Sequence, residues 1–303
     1  MGLVMVWHQK LETNEQIEPE EFIAYVEAEC DPSDSESLIA ASLNLVKLAM
    51  NKSMLVEHIN EQIKAVYANE PNLLASTSQT LFTRRFGKFV LRVNIWPELK
   101  SIGPSKPYVA DLHAYYLPHN HVFNMLTTGY WGSGYDTEVL ETNQDLSSGY
   151  IGMKIEFGKE LRARLGCGDV LYMEHGKDFH TQYPPSDFSA SLNLLAFPKD
   201  MALTPQYCLD MRDGSISAFL ESEVEKCIHA MDIAGMIGDG NTLDLLIEIA
   251  RNTNITPVRA HALNSAAWIA MKMKKAVLPE VFALAGGRSP WANYKDTSDL
   301  IRF

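Results

Sequence analysis

Leu117-Pro118-His119-Asn120-His121-Val122-Phe123 is the stretch on which the fold turns. Side chains two apart on an extended segment point the same way, so His119 and His121 face one spot if this stretch is strand. A third histidine, His180, follows Gly168-Asp169-Val170-Leu171-Tyr172-Met173, which reads as a tight turn and an apolar strand. An antiparallel barrel would set that strand beside the first. Three neutral imidazoles converging in a barrel mouth make a site for a divalent transition metal. The chain has nine histidines, so a His-x-His pair alone says little. The β-rich setting on both sides is what gives this pair weight.

Working outward, the period becomes strand-like from Thr80. Lys88 to Trp96 is β-rich and stops at Pro97, and Ser101 to Pro107 is a Gly/Pro/Ser loop. Ala110 to Leu117, Phe123 to Trp131, Tyr135 to Leu140, Tyr150 to Phe157, Val170 to Met173 and Ser189 to Phe197 are read as further strands. Many short strands joined by turns predict a small barrel or jelly roll over residues 76–200. Residues 1–75 read as a helical cap: Pro19 opens one helix, Leu38 to Met50 forms a second, and Leu55 to Tyr67 a third. Residues 201–303 read as a helical domain, with helices over Ile216 to Met236, Asn241 to Arg251 and Pro257 to Met273. Ala230-Met231-x-x-Ala234-x-x-Ile237 recurs as Ala262-Leu263-x-x-Ala266-x-x-Ile269, and Val258-Arg259 resembles the Val-Arg of HEAT-type repeats.

Composition narrows the function. With a net charge of −12, the 303-residue chain is a poor partner for nucleic acid or an anionic membrane surface. Cys30, Cys167, Cys208 and Cys227 include no Cys-x-x-Cys pair and suggest no disulfide framework, which fits a reducing cytoplasm. The apolar run Leu3 to Trp7 is too short for a signal-peptide core, Val6 departs from a myristoylation start, and no segment is long and apolar enough to span a bilayer.

The β-region resembles the cupins and, among them, is most similar to thiol dioxygenases of the cysteine dioxygenase type. The resemblance covers residues 80–200 and rests on the order of its motifs. The family's Tyr-Thr-Arg and Gly-x-Lys-Phe appear as Phe82-Thr83-Arg84 and Gly87-Lys88-Phe89. Its strand ending in a Trp turn resembles Val93-Asn94-Ile95-Trp96, its His-x-His matches His119 and His121, and its Leu-His matches Phe179-His180. Its Ser-Leu-His-Leu strand resembles Ser191-Leu192-Asn193-Leu194, which runs on to Pro198.

With the flanking helical readings, the resemblance makes the expected fold α+β: a cupin-type β-barrel or jelly roll between an N-terminal helical segment and a C-terminal HEAT-like domain. It implies that His119, His121 and His180 hold Fe(II), although imidazoles also suit nickel, manganese or zinc. It gives the substrate-carboxylate role to Arg84, with Arg85 as the alternative, and sets Ser191 and Asn193 at the substrate. The family's Ser-x-His-x-Tyr row is here Ser191-x-Asn193-x-Leu195, and its Cys after the histidine pair is missing. Tyr130, Tyr172 and Tyr183 are candidates to replace the lost hydroxyl. Met125 falls near the place where ordinary cupins carry an acidic ligand, and Glu138 is the nearest later acid. Glu174 is a candidate to orient a ligand, His175 a spare ligand and His113 a core histidine.

The expected activity is oxidation of a small carboxylate-bearing substrate, an amino acid or thiol-like compound, by dioxygen. The alternatives are a non-catalytic cupin that senses a ligand, or an oxygen-independent isomerase or lyase. The C-terminal helices are the expected surface for a protein partner or self-association.

Overall fold

The computed structural model describes residues 6–68, 79–100, 106–147, 149–198, 205–220 and 223–273. Contacts divide the chain into two units: Met1–Gln144, Lys154–Ala202 and Tyr207–Ser217 form one, and Asp145–Met153, Leu203–Gln206 and Ala218–Phe303 the other.

The first unit is built on a six-stranded sheet. Its strands are β1 (Trp7–Lys10), β2 (Thr80–Phe86), β3 (Phe89–Trp96), β4 (Asn124–Trp131), β7 (Asp169–Met173) and β9 (Ser189–Ala196), in the order β1-β7-β4-β9-β3-β2. Every pairing in it is antiparallel. A second sheet has the order β6 (Glu160–Leu165), β5 (Tyr135–Glu141), β8 (Asp178–Gln182). A hairpin, β10 (Gln206–Asp210) and β11 (Ser215–Leu220), completes the β-structure.

Alternation along the strands gives the six-stranded sheet two unlike faces. On one, Leu91, Leu126, Val170, Tyr172, Leu192 and Leu194 pack with Phe22, Val26, Leu38, Leu45 and Leu48 of the N-terminal helices. Each of these fully buried side chains contributes roughly 1.5–3 kcal/mol. On the other, Val90, Trp96, Met125, Leu171, Met173 and Leu195 share a cluster with Tyr135, Val139 and Leu165 of the three-stranded sheet. The two sheets therefore enclose a common interior, and polar residues interrupt its apolar lining.

The covering helices are α1 (Pro19–Glu29), α2 (Ser35–Ala40), α3 (Ser42–Met50) and α4 (Ser53–Tyr67). Pro19 and the acids Glu20 and Glu21 open α1, and Asp34 caps α2 by accepting from the Glu36 and Ser37 amides. The single helix expected over Leu38 to Met50 breaks at Ala41.

Four other expectations are corrected. Residues 7–10, read as part of a helical region, form edge strand β1, whose polar sequence lacks a strand's alternation. The stretch Ala110 to Leu117 is not a strand. It is spanned by α5 (Lys106–Leu112), with Pro107 in its first turn, and then by a turn in which Ala114 (φ 51°) and Tyr116 (φ 63°) adopt left-handed backbone. Tyr150 to Phe157 is irregular: Gly152 (φ 88°) turns the chain, and Lys154 makes one isolated bridge to Ser215. The helix expected from Ile216 starts only at Glu223, because residues 215–220 pair as β11 around a turn with Gly214 at φ 67°.

In the second unit, α6 (Glu223–Ile237), α7 (Gly240–Asn252) and α8 (Thr256–Lys272) surround a core of Leu243, Leu246, Leu263, Ala266 and Ile269. A capping box between Asp239 and Thr242 starts α7.

Candidate metal centre

His119 lies in a short extended segment between two strands. It exchanges both backbone hydrogen bonds with His180 of β8, at 3.0 and 2.8 Å. On its other side the segment meets β10: the Asn120 amide donates to Tyr207 O (3.2 Å), and the Leu209 amide donates to Pro118 O (3.0 Å). The Asn120 side chain secures the same edge by accepting from the Tyr207 amide at 2.7 Å. This extended backbone turns His119 and His121 to one side, and the direct pairing with β8 places His180 beside them.

The three rings converge through their Nε2 atoms. His121 Nε2 is 2.8 Å from His180 Nε2, which is 3.2 Å from His119 Nε2. Among the described residues, these three histidines are the one cluster of His, Cys, Asp or Glu that could hold a metal ion, and all three are buried. A cation bonded to nitrogens at about 2.1 Å with right angles between bonds needs nitrogens about 3 Å apart, so the spacing fits.

Protonation fits as well. His119 Nδ1 lies 2.9 Å from Leu117 O, to which only an N–H can donate, so its Nε2 presents a bare lone pair. The Gln182 amide nitrogen lies 3.2 Å from His180 Nδ1 and 3.1 Å from its Nε2, while the Gln182 Oε1 is buried without a partner. All three histidines titrate below the ordinary range. Burial is the main cause for each, and the other rings and Arg92 add repulsion at His121. Neutral imidazole is the form that binds a metal.

Phe123 stacks on His121 (4.5 Å between centroids, 18° between planes) and supports it from the side. The Arg92 guanidinium sits 5.8 Å from the Phe123 ring. On the six-stranded sheet, Arg92, Asn193 and Thr127 occupy one rung, with Asn193 paired to both others, so all three face the interior. Thr127 Oγ1 donates to Asn193 Oδ1 at 2.6 Å, Trp96 Nε1 donates to Ser191 Oγ at 2.9 Å, and Ser191 Oγ donates to Asn193 Oδ1 at 3.3 Å. From the opposite sheet, Tyr135 brings its hydroxyl against Thr127 and Ser191, and burial keeps that hydroxyl protonated far above neutral pH. A shelf of neutral donors and acceptors thus lines the interior on which the three histidines border.

Ser191 and Asn193 lie on this shelf. Arg84 does not: its register partner is Leu91, on the helix-covered face, and it pairs with Glu20 at 2.6 Å. Arg85 is exposed on edge strand β2. The assignment of a substrate carboxylate to Arg84 is therefore corrected, whereas Arg85 is in phase with Val90 of the interior face and sits exposed at the sheet's edge.

The three candidate tyrosines are also elsewhere. Tyr130 donates to Asn51 O at 2.8 Å, Tyr172 shares a hydrogen bond with Ser35 Oγ at 2.9 Å, and Tyr183 donates to Glu138 Oε2 at 2.9 Å. Glu138 points away from the face that carries Val139 and His180, and pairs with Arg162 at 2.9 Å. Met125 lies in the interior cluster. Glu174 pairs with Lys177 at 2.6 Å, and both the backbone amide and Nδ1 of His175 meet Asn124 Oδ1. His113 is buried and stacked on Tyr115.

Sequence reasoning missed Arg92, Tyr135 and Gln182. Arg92 left a signal: it is the one charge in the apolar strand Phe-Val-Leu-Arg-Val-Asn-Ile-Trp.

No family model and no curated protein matches the chain. Solved structures give slight likenesses. Acireductone dioxygenase from Bacillus anthracis, with a cadmium ion in its active centre, is 12% identical over 64% of this chain and 79% of its own, with a TM-score of 0.26. RmlC from Streptococcus suis, in complex with dTDP-D-xylose, is 13% identical over 44% of this chain and 56% of its own (TM-score 0.26). A point mutant of salicylate 1,2-dioxygenase from Pseudoaminobacter salicylatoxidans is 9% identical over 48% of this chain and 34% of its own (TM-score 0.26). Likeness at this level carries no argument about the chemistry of this chain, which rests on its own residues.

Proposed function

We propose that the chain is a mononuclear non-haem iron oxygenase of the cupin type, with a HEAT-like helical region after its barrel, that oxidises a small anionic substrate with dioxygen. The observation that carries this reading is the meeting of three buried, neutral Nε2 atoms in a protein interior, beside a polar shelf and without a carboxylate ligand among the described residues. The motif order from Phe82 to Pro198 supports the same reading.

Ferrous ion, if held by these nitrogens, would supply the redox chemistry by which electrons pass from substrate to dioxygen. The chain's own residues do the rest. His119, His121 and His180 fix one face of the site, and the backbone pairing of His119 with His180 ties two of them together. Tyr135 Oη holds a proton near Ser191 and Thr127 and can donate to a group bound in the chamber. Val139, Leu165 and Trp96 line the interior and exclude water.

Full-length protein produced in iron-rich medium should contain about one iron per chain by elemental analysis. It should consume oxygen with a member of a panel of amino acids, thiols and other small carboxylates. Metal-free protein that takes up no divalent ion would overturn the centre itself. Turnover that proceeds equally without oxygen would replace the oxygenase by an isomerase or lyase on the same site.

A further inference from the structure

Arg92 is anomalous where it stands. It occupies β3, between β9 and β2 in the sheet, and alternation turns its side chain to the interior. Among the described residues no carboxylate pairs with it, and its Nε is buried without a hydrogen-bond partner. Burial lowers its pKa to about 10, still far above neutral pH, so the charge persists. The guanidinium is only partly exposed, and among the described residues no protein anion balances it. Such an arrangement is costly unless something else completes it.

Its neighbours indicate what that is. The ring that the guanidinium approaches, Phe123, is itself stacked on His121 at 4.5 Å, so the charge stands one ring away from the histidine trio. Phe123 covers it on one side at 5.8 Å. The groups on its rung, Asn193 and Thr127, are spent on each other at 2.6 Å. Its planar donors therefore remain for an incoming oxyanion, for which a guanidinium fork is suited.

We propose that Arg92 is the anchor for the substrate's anionic group, a carboxylate or an equivalent planar oxyanion, and so sets specificity for small anions at the histidine centre. The proposal rests on the function proposed above but concerns a separate group. Anion recognition by Arg92 needs no metal, so the two can fail independently.

The test uses the metal-free chain and pairs of probes in which a carboxamide replaces a carboxylate: acetate and acetamide, glycine and glycinamide, benzoate and benzamide. Binding is read by thermal shift and calorimetry. At least one carboxylate should bind and raise the melting temperature, its amide partner should bind about tenfold more weakly or worse, and Arg92→Met should abolish the difference. Arg92→Lys, which keeps the charge but loses the fork, should fall between them and guards against misfolding of the first variant. His119→Ala should keep the carboxylate response while losing metal, and Arg92→Met should still take up Co(II). The proposal is overturned if no carboxylate binds the parent chain, if amides bind as well as carboxylates, or if Arg92→Met responds like the parent.

Discussion

The two faces of the six-stranded sheet are made by the same strands, residue by alternate residue, and they serve opposite ends. Leu91, Leu126, Leu192 and Leu194 on the helix-covered face are almost wholly buried hydrocarbon. Arg92, Thr127, Ser191 and Asn193, each next in sequence to one of them, turn a partly buried charge and a set of hydroxyl and amide groups to the interior. The first face is a source of stability. The second gives stability up to hold polar groups in fixed positions, which is the mark of a site rather than a core.

The largest effect expected from this contrast belongs to the helix-covered face. Leu91→Ala should lose about 2–5 kcal/mol in urea unfolding monitored on the β-sheet unit, while the folded fraction binds Co(II) like the parent. A loss below ~1 kcal/mol would mean that this face is not the packed one. On the interior face, His119→Ala should weaken Co(II) or Fe(II) binding by about 100-fold or more, read by direct titration, with little change in urea midpoint. Parent-like affinity would remove the trio from the metal-centre role.

Acidity sets two groups of the strand opposite, β8, against each other. The three histidines have lowered pKa values, so the unfolded chain binds more protons than the folded one. Their contribution is complete above the unfolded value near 6.5 and is lost as the pH falls through that value toward the folded ones. Asp178 runs the other way: burial raises it to about 7, so its charging erodes stability between about pH 4 and 7. Metal-free protein should therefore gain stability from pH 5 to 7. Asp178→Asn should gain it more steeply, by up to about 1.4 kcal/mol per pH unit for the one proton involved. Identical slopes in pH-dependent urea unfolding would refute the opposition. The smallest effect is at Arg84, nearly half exposed: Arg84→Ala should cost under about 1 kcal/mol and leave metal and anion binding untouched.

Much of the interior is legible in the sequence alone. The period of two found β3, β4, β5, β7 and β9, and it placed His119 and His121 on one side although their segment is only an isolated bridge. It did not locate the anion-facing arginine, because Arg84 and Arg92 both sit in strand-like sequence and only the register of β2 on β3 shows that they point oppositely. The tyrosines failed for the same reason: Tyr130 and Tyr172 are one step out of phase with the interior, whereas Tyr135 is in phase with Thr137 and Val139. Helix α5 was hidden by an apolar run short enough to suit either state, and β1 by a lack of apolar residues.

The pairing of Pro118 and Asn120 with β10 bears on how the protein can be dissected. Residues 207 to 210 follow the last strand of the main sheet by ten positions and more, yet they hold the backbone that presents His119. A shortened gene ending at Pro198 would strip that support and cripple the centre for reasons unrelated to the helices it was meant to remove. Scissors placed after Leu220 keep the hairpin and ask the intended question.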